Sequence, residues 1–282
     1  MLFDEVQPDP ATVSVAPRTL SIALWNICDL HCRFCYRPHT GDKLASGFIR
    51  GIATAADKLG TLEITFGGGE PLSYPELDSV CAWIWENTSL GISLTTHGHC
   101  LTSALASRLA GKISSIRFSI DGGEPYYRNI RGRPLSHLLR KVTLISGMIP
   151  FGINAVISPG HIAELRRVAE IAIELGSDDL LIIPEHRDGK MLLNEAEWGE
   201  IQGVIADYRE HIRLYLTSAA SACLDIDVLR TDSGAEFAFA HISADRKLKL
   251  SSYARGGIPI ENVACLKGYF LELSQSRVEG RP

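Results

Sequence analysis

The chain has 282 residues, 45% of them apolar, with 28 basic against 33 acidic side chains and a formal charge of −5. That balance excludes the basic footprint of a nucleic-acid binder, and no apolar run reaches the length that a membrane-crossing helix requires. Seven cysteines, an odd number with no signal peptide ahead of them, speak against a secreted disulfide scaffold and for a reducing cytoplasm.

Taken in order, residues 1–18, with Pro8, Pro10 and Pro17, read as an extended arm. Strands are expected at 19–25, 62–66, 91–96, 113–120, 151–157 and 180–184, with helices between them near 44–59, 75–87, 101–110, 134–147 and 160–175. The last helix is the clearest. Ile162, Leu165, Val168, Ala169, Ala172 and Leu175 recur at helical spacing, and Gly176 is placed to cap it. Such alternation implies a parallel sheet with right-handed crossovers. Residues 194–213 read as one more helix, its core stripe Trp198, Ile201, Val204, Ile205 and Tyr208. Phe237 to Ile242, a turn at Ala244-Asp245-Arg246, and Leu248 to Ser252 read as a hairpin, followed by Ile258 to Val263 and a short helix.

The chemistry begins just after the first strand, where Cys28, Cys32 and Cys35 form a C-x3-C-x2-C run. A 4Fe-4S cluster takes four thiolates, one per iron, so three leave one iron open to a ligand that is not protein. A Cys3His zinc site with His31 or His39 as fourth ligand, and buried or unrelated thiols, are the alternatives. Structural zinc, however, usually draws its ligands as two separated pairs, and the chain has no second C-x2-C pair. Thirty residues on, the strand Leu62 to Phe66 runs into Gly67-Gly68-Gly69-Glu70-Pro71. Three glycines strip the strand end to backbone, against which a ligand can lie, and Glu70 adds a carboxylate suited to an ammonium group. These motifs, His97 and His99, and Asp121 all fall at the C-terminal ends of expected strands, where parallel α/β folds place ligands.

The run C-x3-C-x-aromatic-C, with Phe34 as the aromatic, followed by Gly68-Gly69-Glu70-Pro71, resembles the radical S-adenosylmethionine (SAM) superfamily. Ser119-Ile120-Asp121-Gly122 and Arg131-Gly132 resemble its branch with SPASM or twitch C-terminal domains, and Thr95-Thr96-His97-Gly98 sits where that branch often has Thr-Asn-Gly. The likeness covers about residues 19–187. It implies an α/β fold, a partial (β/α)6 TIM-like barrel over 19–213, with a small hairpin-plus-helix appendage over 214–282. It implies one 4Fe-4S cluster on Cys28, Cys32 and Cys35, and SAM at the open iron, cleaved on one-electron reduction to a radical that takes a hydrogen atom from substrate. Gly68, Gly69 and Glu70 would engage the methionine amino group, with Phe34 near the adenine. Ser119, Asp121, Arg131 and Asn154 are further candidates for the SAM pocket, Asn154 being a polar residue in an apolar strand that needs a partner. A flavodoxin- or ferredoxin-type donor would supply the electron.

His97, His99, Glu185 and His186 are the candidates for touching substrate, against the plainer reading of hydrogen-bonded or solvated side chains. The C-terminal third resembles a twitch or SPASM domain, which normally binds an auxiliary cluster. Here Ser251 and Ser252 stand where the second strand usually ends in cysteine, and only Cys223 and Cys265 remain in the region, so no auxiliary cluster is expected. Either thiol could donate a hydrogen atom to a substrate radical or serve as a plain structural thiol. Cys81, in an apolar helix, reads as buried. The expected activity is an oxidoreductase-type radical reaction on a small natural product (sugar, aminoglycoside or nucleoside), because Cys28 comes too early to leave room for a peptide-recognition domain. Epimerisation, dehydrogenation, ring closure and elimination stay open. The alternatives are modification of a ribosomally made peptide and a non-catalytic iron-sulfur protein. Neither nucleic acid nor membrane is expected as a partner.

Overall fold

The computed structural model describes residues 15–187, 190–217, 220, 224 and 238–278. Most of the N-terminal arm, Cys223 and Phe237 therefore lie outside the described residues. The chain order is β1 (Thr19–Trp25), α1 (Ser46–Leu59), β2 (Glu63–Gly68), α2 (Leu77–Asn87), β3 (Gly91–Thr96), α3 (Ser103–Leu109) and β4 (Ser115–Ser119). There follow α4 (Tyr126–Arg131), α5 (Leu135–Ile145), β5 (Phe151–Ile157), α6 (Ala163–Leu175) and β6 (Asp179–Pro184). A two-residue pair β7 (His186–Arg187) and β8 (Lys190–Met191) precedes α7 (Glu195–Tyr208) and β9 (Arg213–Leu216). The chain closes with β10 (Phe239–Ile242), β11 (Lys247–Lys249), β12 (Ile258–Pro259) and α8 (Leu266–Val278).

The described residues form two compact units, one from 15–27, 37–94 and 238–278, the other from 28–36 and the described part of 95–224. In the first, β10, β1, β2 and β3 pair in parallel, with Thr19 opposite both Phe239 and Glu63. β11 and β12 add on antiparallel beyond β10. In the second unit β4, β5, β6 and β9 are parallel neighbours. Such strands are buried on both faces, and β1 and β6 are accordingly buried along nearly their whole length.

The helices cover these sheets with one apolar face each. α1 buries Ile49, Ile52, Ala53 and Ala56, a single stripe at helical spacing. α6 buries the expected Leu165, Val168, Ala169 and Ala172 and ends at Gly176, whose φ of 69° is the left-handed cap that glycine adopts without strain. α7 starts with a capping box: Asn194 accepts from the Glu197 N–H and Glu197 accepts from the Asn194 N–H.

Three expectations need correction. The helix read over 194–213 stops at Tyr208, and Ile212 to Leu216 turn instead into the buried strand β9 beside β6. The six-residue helix α4 falls where no element was expected. The hairpin is shorter than read, β11 ending at Lys249, with Arg246 in the left-handed region (φ 61°) at its turn. Among the described residues no helix is long and apolar enough to cross a membrane.

Candidate active site

β1 delivers the chain into a loop carrying Cys28 and Cys32, both half-buried, and Cys35, exposed; none of the three is in a disulfide. The Leu30 N–H donates to Cys28 Sγ at 3.4 Å, and the Cys35 N–H to the Cys32 carbonyl at 3.0 Å. Burial pushes the Cys32 thiol pKa up, the Arg131 guanidinium pulls it down, and Cys35, Asp121 and Cys28 push it up again. The thiols therefore feel one another. They do not, however, gather as a three-sulfur group within 4.8 Å. A single zinc with bonds near 2.3 Å would draw its sulfurs to within about 4.6 Å, so the donor set suits a polynuclear iron-sulfur cluster better than one ion. His31 and His39, the expected fourth zinc ligands, join no ligand group with these thiols among the described residues; the one group found is Cys28, Asp29 and His97.

Asp29 and His97 are already spent on each other. His97 is 5% exposed and its Nδ1 accepts from the His99 N–H at 3.1 Å, so its ring proton sits on Nε2 and is donated to Asp29 Oδ1 at 2.9 Å. Arg133 donates to the other oxygen of Asp29 at 2.6 Å. His99, also buried, faces the Tyr127 hydroxyl at 3.0 Å. Burial, then the neighbouring His97 and Arg133, lower the His99 pKa to about 4, so its ring is neutral at physiological pH. Gly98 between the two histidines has φ of 77°, and a Cβ there would come within 2.4 Å of Leu138. Only glycine turns the backbone so that both rings point inward.

The third cluster of contacts centres on Arg131 at the end of α4. Its Nε and one terminal nitrogen grip Asp121 at 2.6 and 3.0 Å, while the other terminal nitrogen lies 3.6 Å from Cys32 Sγ. Asp121 also accepts from the Val156 N–H at 3.0 Å. The ring of Phe34 lies 5.3 Å from the guanidinium carbon, within cation–π range.

In the other unit the glycine turn docks on the end of β1. The Gly69 N–H donates to the Trp25 carbonyl at 2.7 Å and the Glu70 N–H to that of Ile27 at 2.9 Å. Those two amides are engaged within the chain rather than bare, which departs from the expectation of an open backbone surface. Gly69 must be glycine because a Cβ would sit 1.9 Å from the Ile27 carbonyl oxygen. Glu70 is fully buried; one carboxylate oxygen accepts from the Leu72 N–H at 2.9 Å, and its carbonyl accepts from Trp25 Nε1 and Ser73 Oγ.

The remaining candidates are dispersed. Ser119 and Asn154 are cross-strand partners on β4 and β5. Asn154 finds the partner it needed in Arg117 Nε at 2.5 Å, and Arg117 reaches on to Asp179 of β6, a brace across three strands. Buried Glu185 bonds Arg187 at 3.3 Å, and His186 Nδ1 lies 2.8 Å from the Pro184 carbonyl. Cys265 is exposed in a short 3-10 turn before α8, and Cys81 is fully buried in α2 as read. Sequence reasoning passed over Asp29, Tyr127 and Arg133. Asp29 was visible as the one acid inside the cysteine run, and Tyr127 as the residue one helical turn before Arg131; their partners lie far along the chain and gave no local signal.

Comparison with known proteins agrees with this geometry. PqqA peptide cyclase of Streptomyces rochei is 27% identical over 216 residues, 73% of this chain and 58% of that protein. GTP 3',8-cyclase of Corynebacterium glutamicum is 29% identical over 177 residues, 57% of this chain and 47% of that protein. The chain thus spans about half the length of the curated relatives it matches. Streptococcus suis SuiB bound to S-adenosylmethionine superposes with a TM-score of 0.77 at 15% identity, over 93% of this chain and 68% of that one. Its complex with precursor peptide SuiA gives 0.75 over 90% and 65%. The fold is accordingly a partial (β/α)6 barrel with a mostly parallel sheet. The family model described as Radical SAM superfamily matches residues 22–172, from β1 through the cysteine loop and glycine turn into α6. This chain belongs to the radical SAM superfamily of enzymes, which work with a 4Fe-4S cluster and S-adenosylmethionine.

Proposed function

We propose that the protein modifies a ribosomally made peptide, forming a bond or removing hydrogen at an unactivated carbon. The similarity to PqqA peptide cyclase over 73% of the chain carries this reading, and the fold shared with peptide-bound SuiB supports it. This reading takes the place of the sugar, aminoglycoside or nucleoside substrate expected from the sequence. The likeness to GTP 3',8-cyclase keeps GTP as the second substrate to try. We assign residues 19–213 to the catalytic barrel and 214–282 to a twitch-like region.

When bound, the reduced cluster and SAM supply a 5′-deoxyadenosyl radical able to abstract a hydrogen atom. The chain's own part is to hold and to shield. Cys28, Cys32 and Cys35 are the cluster ligands in this reading, Phe34 an apolar wall beside them, and Gly68 to Glu70 the strip that meets the SAM amino group. The Asp29–His97 bond and the Arg133–Asp29 pair tie the cysteine loop to the turn that carries His97 and to the loop that carries Arg133, so that it enters the reaction already ordered. Excluding water keeps the radical on one chosen hydrogen.

The test is anaerobic incubation of reconstituted protein with SAM, reductant and either synthetic peptides from short reading frames beside its gene or GTP. The reading predicts 5′-deoxyadenosine release that rises with one peptide, together with a mass change in that peptide. Turnover with GTP alone, or no peptide dependence, contradicts it.

A further inference from the structure

Arg131 is 8% exposed and Asp121 not at all. The two meet fork to fork, Nε and a terminal nitrogen of the guanidinium on the two carboxylate oxygens, and this fixes the plane of the guanidinium. One bidentate edge of the guanidinium is therefore occupied by a residue of the same chain. What remains directed outward is the other terminal nitrogen, 3.6 Å from Cys32 Sγ. A guanidinium keeps its proton at every working pH, so the cation persists. The pair thus turns its cationic member, and a hydrogen-bond donor, toward one thiol.

We propose that Arg131, aimed by Asp121, raises the reduction potential of the cluster by hydrogen-bonding the Cys32 sulfur. This rests on Cys32 being a cluster ligand. One-electron reduction adds negative charge to the iron-sulfur core; a donor to a ligand sulfur and a nearby cation both favour the reduced form, and low exposure keeps water from screening them. Asp121 has two opposed effects: it orients the donor, and its own charge partly offsets the gain. Arg131 is a positioning residue for charge.

The measurement is an EPR-monitored redox titration of the anaerobically reconstituted full chain, with circular dichroism to verify folding. Arg131→Met keeps an unbranched stem close to that of arginine and removes the charge and the donors. Its midpoint is expected to fall so that the reduced-to-oxidised ratio at the wild-type midpoint drops at least tenfold, about 59 mV for a one-electron couple. Asp121→Asn keeps a polar partner for Arg131 and deletes the opposing charge, so its midpoint is expected to rise. Opposite signs are what a merely structural role would not produce, since loosening the loop would move both the same way. An unmoved midpoint in Arg131→Met, or shifts of one sign in both, overturns the proposal. If Arg131→Met takes up no iron, Asp121→Asn decides alone: a rise supports the proposal, and no change or a fall overturns it. A wild-type protein that takes up no iron would instead overturn the assignment of Cys32.

Discussion

At Gly69 an added methyl would lie 1.9 Å from the Ile27 carbonyl oxygen and 2.5 Å from its carbon, whereas at Gly67 it would meet nothing within 4 Å. Backbone atoms pinned by the Gly69 and Glu70 hydrogen bonds cannot yield as a side-chain end can. Gly69→Ala is therefore expected to lose about 3 kcal/mol of stability, and Gly67→Ala to stay within about 0.5 kcal/mol of wild type. Equilibrium denaturant unfolding measures both, and a Gly69→Ala protein as stable as Gly67→Ala would contradict the packing described. The same residue-level view changes the sense of the glycine motif. Its sequence suggests bare backbone awaiting a ligand; the structure shows that part of the requirement for glycine comes from the chain itself, a close pass by the end of β1. His97 and His99 follow the same logic. As sequence they are loop histidines at a strand mouth, and as structure each has an internal partner, Asp29 and Tyr127, at sequence distances of 68 and 28 residues that no local pattern encodes.

At the scale of elements, β10 illustrates a strand whose pairing writes itself into pH dependence. It lies parallel to β1, and its His241 is buried with Nδ1 3.1 Å from Ser21 Oγ. Burial, then Lys249, lower its pKa to about 4, with Asp245 acting weakly the other way. Unfolded, it titrates near its ordinary 6.5. Between these values the unfolded chain binds the extra proton, so stability is fully present above pH 6.5, falls as pH drops to about 4, and levels off below. The span corresponds to roughly 3 kcal/mol at most. His241→Gln should remove this part of the slope in unfolding measured from pH 7 to 4, leaving the portion due to His99, whose pKa is lowered over the same window. A variant with an unaltered slope would contradict it. Legibility of the elements tracks how each is stabilised. The strands of the parallel sheets and helices such as α1 and α6 bury whole apolar faces and announce themselves by period. β9 did not: the helix before it ends at Tyr208 with no glycine or proline to mark the stop, and Leu214, Tyr215 and Leu216 extend the apolar run. α4 is too short for a period and follows Pro125, yet it carries Arg131.

For the molecule as a whole, the cysteine run and the glycine turn made the family legible from fewer than fifteen residues, because cluster ligation demands particular atoms at particular spacings. What that reading could not supply was the electrostatic setting of the cysteines. Cys32 and Arg131 are 99 residues apart and meet only through the fold. The C-terminal hairpin was legible as a hairpin, but not as the continuation of the β1 sheet that its parallel pairing makes it. All of this presupposes that three thiols hold one cluster. Iron and acid-labile sulfide should therefore be counted in anaerobically reconstituted protein and in its Cys28→Ala, Cys32→Ala, Cys35→Ala and Cys265→Ala variants. The account predicts about four irons and four sulfides per chain in the wild type and Cys265→Ala, and near-complete loss in the other three. A protein that holds a single zinc, or that keeps its iron when those three cysteines are removed one at a time, would contradict it.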